Sequence, residues 1–419
     1  MRLNDEMRQG AILLVANGLL VACTFALNLL LARRLGPEGY GEWSALWALI
    51  LVSSALFPSL VLLCARYVAA FVGAGEPGRA RAFGRRVGAL TLVGGMLLFT
   101  AMFYVRGSLE EFFQLTGVTP VALVAAFLGV SFFLSFVRGV IEGLQDFPGL
   151  GANIAVEGAL RLMIGIVLIL LDFGMVGLLI AYLVAALIPT FTGALRLAGG
   201  ELDLLGRTRS ERLPEGFVAE AALFAWPVLA SHLLVVVWTN LDLLLVKHFT
   251  DEINAGLYGV LFTAGKVAFF VAEALASVMI PKIAAAHAAG GDEGTPLRRT
   301  GTIVAAFCLG MIVIGLVAPK ALIVGLFGES FAAAAPLLGI YLIAASCMAL
   351  AVFAVKAHLA RGETGFLLML TVGIAGVALV VWLFGGNVTY VVWSLLVFNA
   401  LILVAVAKSL WPLLRGDRS

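Results

Sequence analysis

The chain has 419 residues, of which 62% are apolar and 12% charged, and its formal net charge is +2. Soluble domains are about half apolar and a quarter charged, so this composition excludes one and requires a chain that crosses a membrane many times. So small a net charge, without any long Lys/Arg block, also excludes nucleic acid as a partner.

The opening MRLNDEMRQG (1–10) leads into an apolar run with no small-residue cleavage site, which predicts a retained first helix and not a removed signal peptide. A helix needs about 20 apolar residues to span a hydrocarbon core about 30 Å thick. Twelve such runs follow in chain order: 11–32, 42–68, 87–105, 119–141, 150–171 and 173–197, then 217–246, 256–281, 300–318, 331–355, 365–384 and 388–411. Thr119-Pro120 supplies an N-cap followed by Pro at the first helical position, and Gly-rich or charged clusters fill the gaps. The expected division is an N-terminal lobe (1–198), a polar cytoplasmic linker (199–216) and a C-terminal lobe (217–419). Cys23, Cys64, Cys308 and Cys347 lie in separate apolar runs without metal-ligand spacing, so they are read as packing, and neither metal nor cofactor is expected.

Lys and Arg collect on one side of the predicted membrane, eighteen in the segments on that side against five on the other, which assigns both termini to the cytoplasm. Trp43, Trp382, Tyr390, Trp393 and Trp411 fall near predicted helix ends, where amphipathic rings anchor at the interface.

LNLLLARRLGPEGYG (27–41) and LDLLLVKHFTDEINAGLYG (241–259) share one design. A shift of 214 aligns Asn28 with Asp242, Arg33 with Lys247 and Glu38 with Glu252; a shift of 216 aligns Arg66 with Lys282. Biased composition alone aligns any two leucine-rich helices followed by a turn, but matched polar positions at nearly one shift favour duplication. Six helices per half is an even number, so the repeats are parallel, about an axis normal to the bilayer. The fold class expected is therefore an all-α polytopic membrane protein, with about twelve transmembrane helices in two parallel six-helix repeats around a central cavity.

A charge inside the bilayer costs about 2.5 to 3.5 kcal/mol even on the generous insertion scale, so each one asks for a partner or a purpose. Arg161 and Lys266 lie closest to the predicted midplane, Glu157 and Glu273 somewhat inward, and Arg138 and Glu142 on the inner third of the fourth run. The pairs Arg138/Glu142 and Glu157/Arg161 have i, i+4 spacing and can neutralise themselves on one helix face. Charges on both halves fit equally a shared hydrated cleft, in which Arg161, Lys266 and Arg138 would bind a phosphate or diphosphate. Asp242 lies near the outer end of the seventh run, as gate, ion ligand or solvated interfacial group. Arg66 and Lys282 lie at the inner surface, where they snorkel to lipid phosphates or mark access to the cavity.

Pro58, Pro189, Pro227 and Pro336 are expected to kink the second, sixth, seventh and tenth helices. The polar set Ser231, His232, Thr239 and Asn240 gives the seventh run one wet face. No G-x-x-x-x-G-K-[ST] loop, HExxH or GxSxG occurs, so neither ATP coupling nor an enzyme is expected.

Four stretches resemble the Wzx-like polysaccharide-transport flippases of the multidrug/oligosaccharidyl-lipid/polysaccharide (MOP) exporter superfamily: LARRLGPEGYGEW (31–43), IEGLQDFPGLGANIAVEGALRL (141–162), WPVLASHLLVVVWTNLDLLLV (226–246) and LFGESFAAAAPLL (326–338). Gln145-Asp146-Phe147-Pro148 departs from that pattern, where such proteins often carry Gly or Arg. The resemblance implies a V-shaped MOP/MATE-like fold, alternating access, and an undecaprenyl-diphosphate-linked oligosaccharide as cargo. It implies that Arg161, Lys266 and Arg138 hold the diphosphate and that Glu157, Glu273 or Asp242 takes a coupling proton or sodium ion. It also implies the bacterial cytoplasmic membrane, membrane lipids and glycan-assembly proteins as surroundings. The other readings are a multidrug or small-molecule exporter on the same fold, and a peptidoglycan-precursor flippase, a branch that usually carries two further helices.

Overall fold

A computed structural model describes residues 2–199, 203, 211–289, 291–384 and 386–415. The expected linker 199–216 lies in large part outside them. The described residues are helical throughout, joined by turns, with no strand among them. In chain order the α-helices are α1 (Arg2–Ser53), α2 (Phe57–Gly73), α3 (Pro77–Tyr104), α4 (Arg106–Phe113), α5 (Thr119–Gly143), α6 (Phe147–Leu170), α7 (Gly174–Gly199), α8 (Phe217–Trp238), α9 (Leu241–Phe249), α10 (Glu252–Ala288), α11 (Gly294–Val317), α12 (Pro319–Phe327), α13 (Ala335–Ala360), α14 (Phe366–Phe384) and α15 (Val388–Arg415).

Among the described residues, eleven stretches are long and apolar enough to cross a membrane. The first, Gln9–Gly73, has 65 residues, too many for one crossing. It breaks at Gly36, whose φ of 67° an L side chain rarely adopts, and Pro37 follows at once. Counted as two, the stretch brings the total to the twelve expected.

By its contacts the chain divides into two compact units, Met1–Arg34 with Leu49–Leu233, and Leu35–Ala48 with Leu234–Ser419. The Gly-Pro turn and the start of the second helix thus belong to the second unit, where they pack on α10. Tyr40 lies edge-on to Phe331 at 5.8 Å and its hydroxyl is 2.8 Å from Thr263 Oγ1. A side chain at Gly256 would meet Pro37 O at 1.8 Å, so only glycine admits so close an approach.

In the first unit Cys64, Tyr67, Phe83, Phe136, Val137 and Phe217 form one apolar core. In the second, Ala268, Ala272, Ala276, Met279, Val352 and Val355 form another. Cys23, Cys64 and Cys308 are free and buried, as packing requires, and Cys347 is free and half-buried.

Several local expectations need correction. Trp43 is no interfacial anchor: it is fully buried and stacked on Trp47 at 6.1 Å, whereas Trp382, Tyr390, Trp393 and Trp411 are exposed. Lys247, which follows the apolar run 217–246 in sequence, is fully buried at the end of α9. Pro58 and Pro336 do not kink helix interiors. Each stands in the first turn of a helix, α2 and α13, after a short 3-10 segment, where its missing N–H leaves nothing unpaired. Pro189 and Pro227 are inside α7 and α8 as expected.

Candidate functional site: two buried ionic clusters

Each unit buries its own ionisable cluster. In the first unit α6 carries Asn153, Glu157 and Arg161 at i, i+4 and i+8, one stripe of the helix, and all three are buried. Arg161 donates through Nη2 to Glu157 Oε1 and through Nη1 to Thr24 Oγ1 at 3.1 Å, and its guanidinium lies 4.0 Å from the centre of the Tyr182 ring. Arg138, on α5, donates through Nη2 to Glu157 Oε2 at 2.6 Å and through Nε to Asn153 Oδ1 at 2.9 Å. Asn153 in turn donates to Pro189 O on α7 at 2.8 Å. The i, i+4 pair Glu157/Arg161 therefore forms, while Arg138 pairs with Glu157 on the next helix and not with Glu142. Two guanidiniums share one carboxylate, which leaves the cluster with one surplus positive charge. The Arg138 side chain keeps 17% of its surface exposed, against 7% for Arg161.

In the second unit the long seventh run is interrupted at Thr239 and Asn240, between α8 and α9. Asn240 has φ −140° and its Nδ2 turns back to Val236 O at 2.7 Å, which ends the helix. Asp242 follows in the first turn of α9, where unpaired N–H groups favour a carboxylate. Asp242 accepts from the Tyr258 hydroxyl through Oδ2, and its Oδ1 is buried without a hydrogen-bond partner. Lys266, on α10, donates to Thr239 O at 2.8 Å, and its ammonium lies 4.7 Å from the Phe262 ring centre and 4.8 Å from that of Phe269. Asp242 and Lys266 line one cavity of about 10 Å³ together with Trp238, Thr239, Tyr341 and Asn399. That is room for about one water molecule. Trp238 Nε1 donates to Asn399 Oδ1 at 3.0 Å, which ties α8 to α15 behind it.

The remaining sequence candidates stand apart from both clusters. Glu273 pairs with Lys356 at 2.7 Å. Arg66 is exposed and lies over the Phe224 ring at 4.0 Å, and Lys282 is exposed. Sequence reasoning missed Tyr341 and Asn399 beside Asp242, and Thr24 and Tyr182 beside Arg161, none of which carries a local signal, because each comes from a different helix; Tyr258 stands in the repeated stretch 241–259 but was not singled out as a partner of Asp242. Sequence reasoning also missed a cavity of about 430 Å³ in the first unit, where Arg86 and Arg212 stand over Leu213, Pro214 and Phe217.

Among solved structures the chain superposes on an inward-facing multidrug-resistance MATE family transporter of the MOP superfamily, with a TM-score of 0.78 at 14% identity over 95% of this chain and 96% of that one. The chain has the MATE/MOP transporter fold. It is also similar to a mutant of the MATE transporter VcmN from Vibrio cholerae (TM-score 0.67, 17% identity, 98% of this chain and 96% of that one). A third is a MOP superfamily transporter from Pyrococcus furiosus (0.66, 14%, 97% and 95%), described as having a binding pocket of reverse polarity that suggests a different function. No family model and no curated protein matches the sequence. The all-α, many-helix architecture is the one expected from the apolar runs, and the MOP/MATE-like fold is the one that the family resemblance implied.

Proposed function

We propose that this chain is an ion-coupled transporter of the MATE/MOP fold that moves a lipid-diphosphate-linked oligosaccharide from the inner to the outer leaflet of a bacterial cytoplasmic membrane, with both termini cytoplasmic. The observation that carries the reading is the charge of the first-unit cluster, two arginines on Glu157 alone. A surplus guanidinium in a low-dielectric setting attracts an anion and repels a cationic drug. Arg138 is the contact residue, since it is the more exposed of the two. Arg161 positions Glu157 from below, because both its terminal nitrogens are taken.

The coupling group is Asp242. Glu157 is paired with two arginines and Glu273 with Lys356, whereas Asp242, also buried, forms no ion pair among the described residues. Lys266 serves that carboxylate and not the diphosphate, for the space beside it holds about one water. Arg66 and Lys282 receive lipid phosphates at the inner surface, and enzymes that assemble the glycan supply the cargo there.

The test is transport by the purified protein in liposomes. A fluorescent lipid-diphosphate oligosaccharide should be flipped, and Arg138→Gln should slow it about tenfold, as expected when one charge-assisted hydrogen bond worth about 1.5 to 3 kcal/mol is lost. Efflux of a cationic dye with no flipping of the lipid would establish the second reading, a small-molecule exporter, which the multidrug transporters among its structural neighbours support.

A further inference from the structure

A helix interrupted inside a membrane has two extra ends. The carbonyl end is partly negative and the N–H end partly positive. In secondary transporters such ends, with a carboxylate nearby, coordinate coupling ions. The interruption between α8 and α9 has this layout: Thr239 O at the carbonyl end, Asp242 in the first turn after the break. The cation found at Thr239 O, however, is not diffusible. It is the ammonium of Lys266, covalently part of α10 and 6% exposed.

We infer that Lys266 is a tethered substitute for sodium: its ammonium holds the cation position of the interrupted-helix site, so that Asp242 exchanges a proton and the site takes no sodium ion. This rests on the reading of Asp242 as the coupling group.

The oxygen supply points the same way. A hard cation takes about six oxygen ligands. Of the oxygens around this cavity, Thr239 O is bound by Lys266, Asn399 Oδ1 by Trp238, and the Tyr258 hydroxyl is engaged with Asp242 Oδ2. Asp242 Oδ1 is left. The cavity of about 10 Å³ admits roughly one water and no ligand shell. A second cation would also sit beside an ammonium where little solvent screens the repulsion. A proton needs only one oxygen, and Asp242 Oδ1 supplies it. The titratable groups around Asp242 are Tyr258 and Lys266 from α10 and Tyr341 from α13. Lys247 is buried further along α9. α15 contributes the neutral Asn399, α8 the neutral Trp238, and α14 carries no titratable residue.

The experiment uses the purified full-length protein in detergent, without cargo, so failure of the flippase reading leaves its result intact. Melting temperature is titrated with sodium chloride against potassium chloride of equal strength. Wild type and Lys266→Arg should melt alike in both salts. Lys266→Met should gain a sodium-specific rise, and Asp242→Asn added to it should remove that rise. A sodium-specific rise in the wild type that Asp242→Asn abolishes overturns the inference, as does a folded Lys266→Met that gains none. If Lys266→Met does not fold, the wild-type titration still decides, together with proton uptake on acidification read by an indicator dye. The wild type should take up a proton that Asp242→Asn does not, and equal uptake overturns the inference.

Discussion

Glu157 accepts from Arg138 at 2.6 Å across the α5–α6 pair, nineteen residues away in sequence, while Glu142 stands four residues from Arg138 on its own helix and is passed over. A carboxylate already buried by packing loses more by being left unpaired than a half-buried one does, and so takes the stronger claim on a guanidinium. Removing one partner of a buried pair costs about 3 to 5 kcal/mol. Glu157→Gln should therefore lower thermal stability in detergent by that order, because two guanidiniums then face each other. Glu157→Gln/Arg161→Met should recover much of the loss. Equal melting of Glu157→Gln and wild type would show that the cluster does not lock α5 to α6.

The hydroxyl of Tyr258 donates to Asp242 Oδ2. Tyr258→Phe keeps the ring and its edge-to-face packing on Tyr341 at 5.7 Å but strips that bond. Hydrogen bonds to charged groups contribute about 1.5 to 3 kcal/mol, so a stability loss of that order and slower coupled transport are expected. Unchanged transport kinetics would remove Tyr258 from the proposed coupling site.

Gly256 and Gly310 test the same substitution in opposite surroundings. A Cβ at Gly256 would lie 1.8 Å from a backbone oxygen, that of Pro37, while a Cβ at Gly310 on α11 meets nothing within 4 Å. Gly256→Ala should cost about 1 to 3 kcal/mol or more, because two backbones must part. Gly310→Ala should gain about 0.5 to 1 kcal/mol through the stiffer unfolded chain. Melting curves of the two variants should move in opposite directions.

Asp251 caps α10, its Oδ1 accepting from Asn254 N at 2.9 Å and its Oδ2 from Asn254 Nδ2 at 2.6 Å. These donors, the backbone N–H first, hold its carboxyl below the ordinary aspartate range. A depressed value means stability that is present above the unfolded-state value and lost as pH falls through the folded one. Asp251→Ala should cost about 1 kcal/mol at neutral pH. The gap between variant and wild type should close as pH drops below about 4. A gap independent of pH would assign the effect to packing and not to the cap.

Part of the site was legible in the chain alone. Glu157 and Arg161 are four apart on an apolar run, so helix geometry by itself makes them neighbours, and the structure joins them. Asp242, Lys266 and Arg138 stood out because charge within apolar sequence is costly. What each of them touches was not legible. Arg138 chose a carboxylate on another helix, and Asp242 a phenol sixteen residues on. Trp43 looked interfacial because it falls near a predicted helix end, yet it is buried, in the segment that packs on α10.

By itself the sequence determined the twelve crossings, the Gly36-Pro37 break and the presence of ionisable groups in the apolar interior, because transfer of side chains out of water and backbone sterics act residue by residue. Only the tertiary structure decided that 35–48 joins the second unit, that Lys247 is buried, and that Lys266 stands at an interrupted helix across a cavity from Asp242. These depend on which helices become neighbours, and that is set by the close packing of whole surfaces and not by any local run of residues.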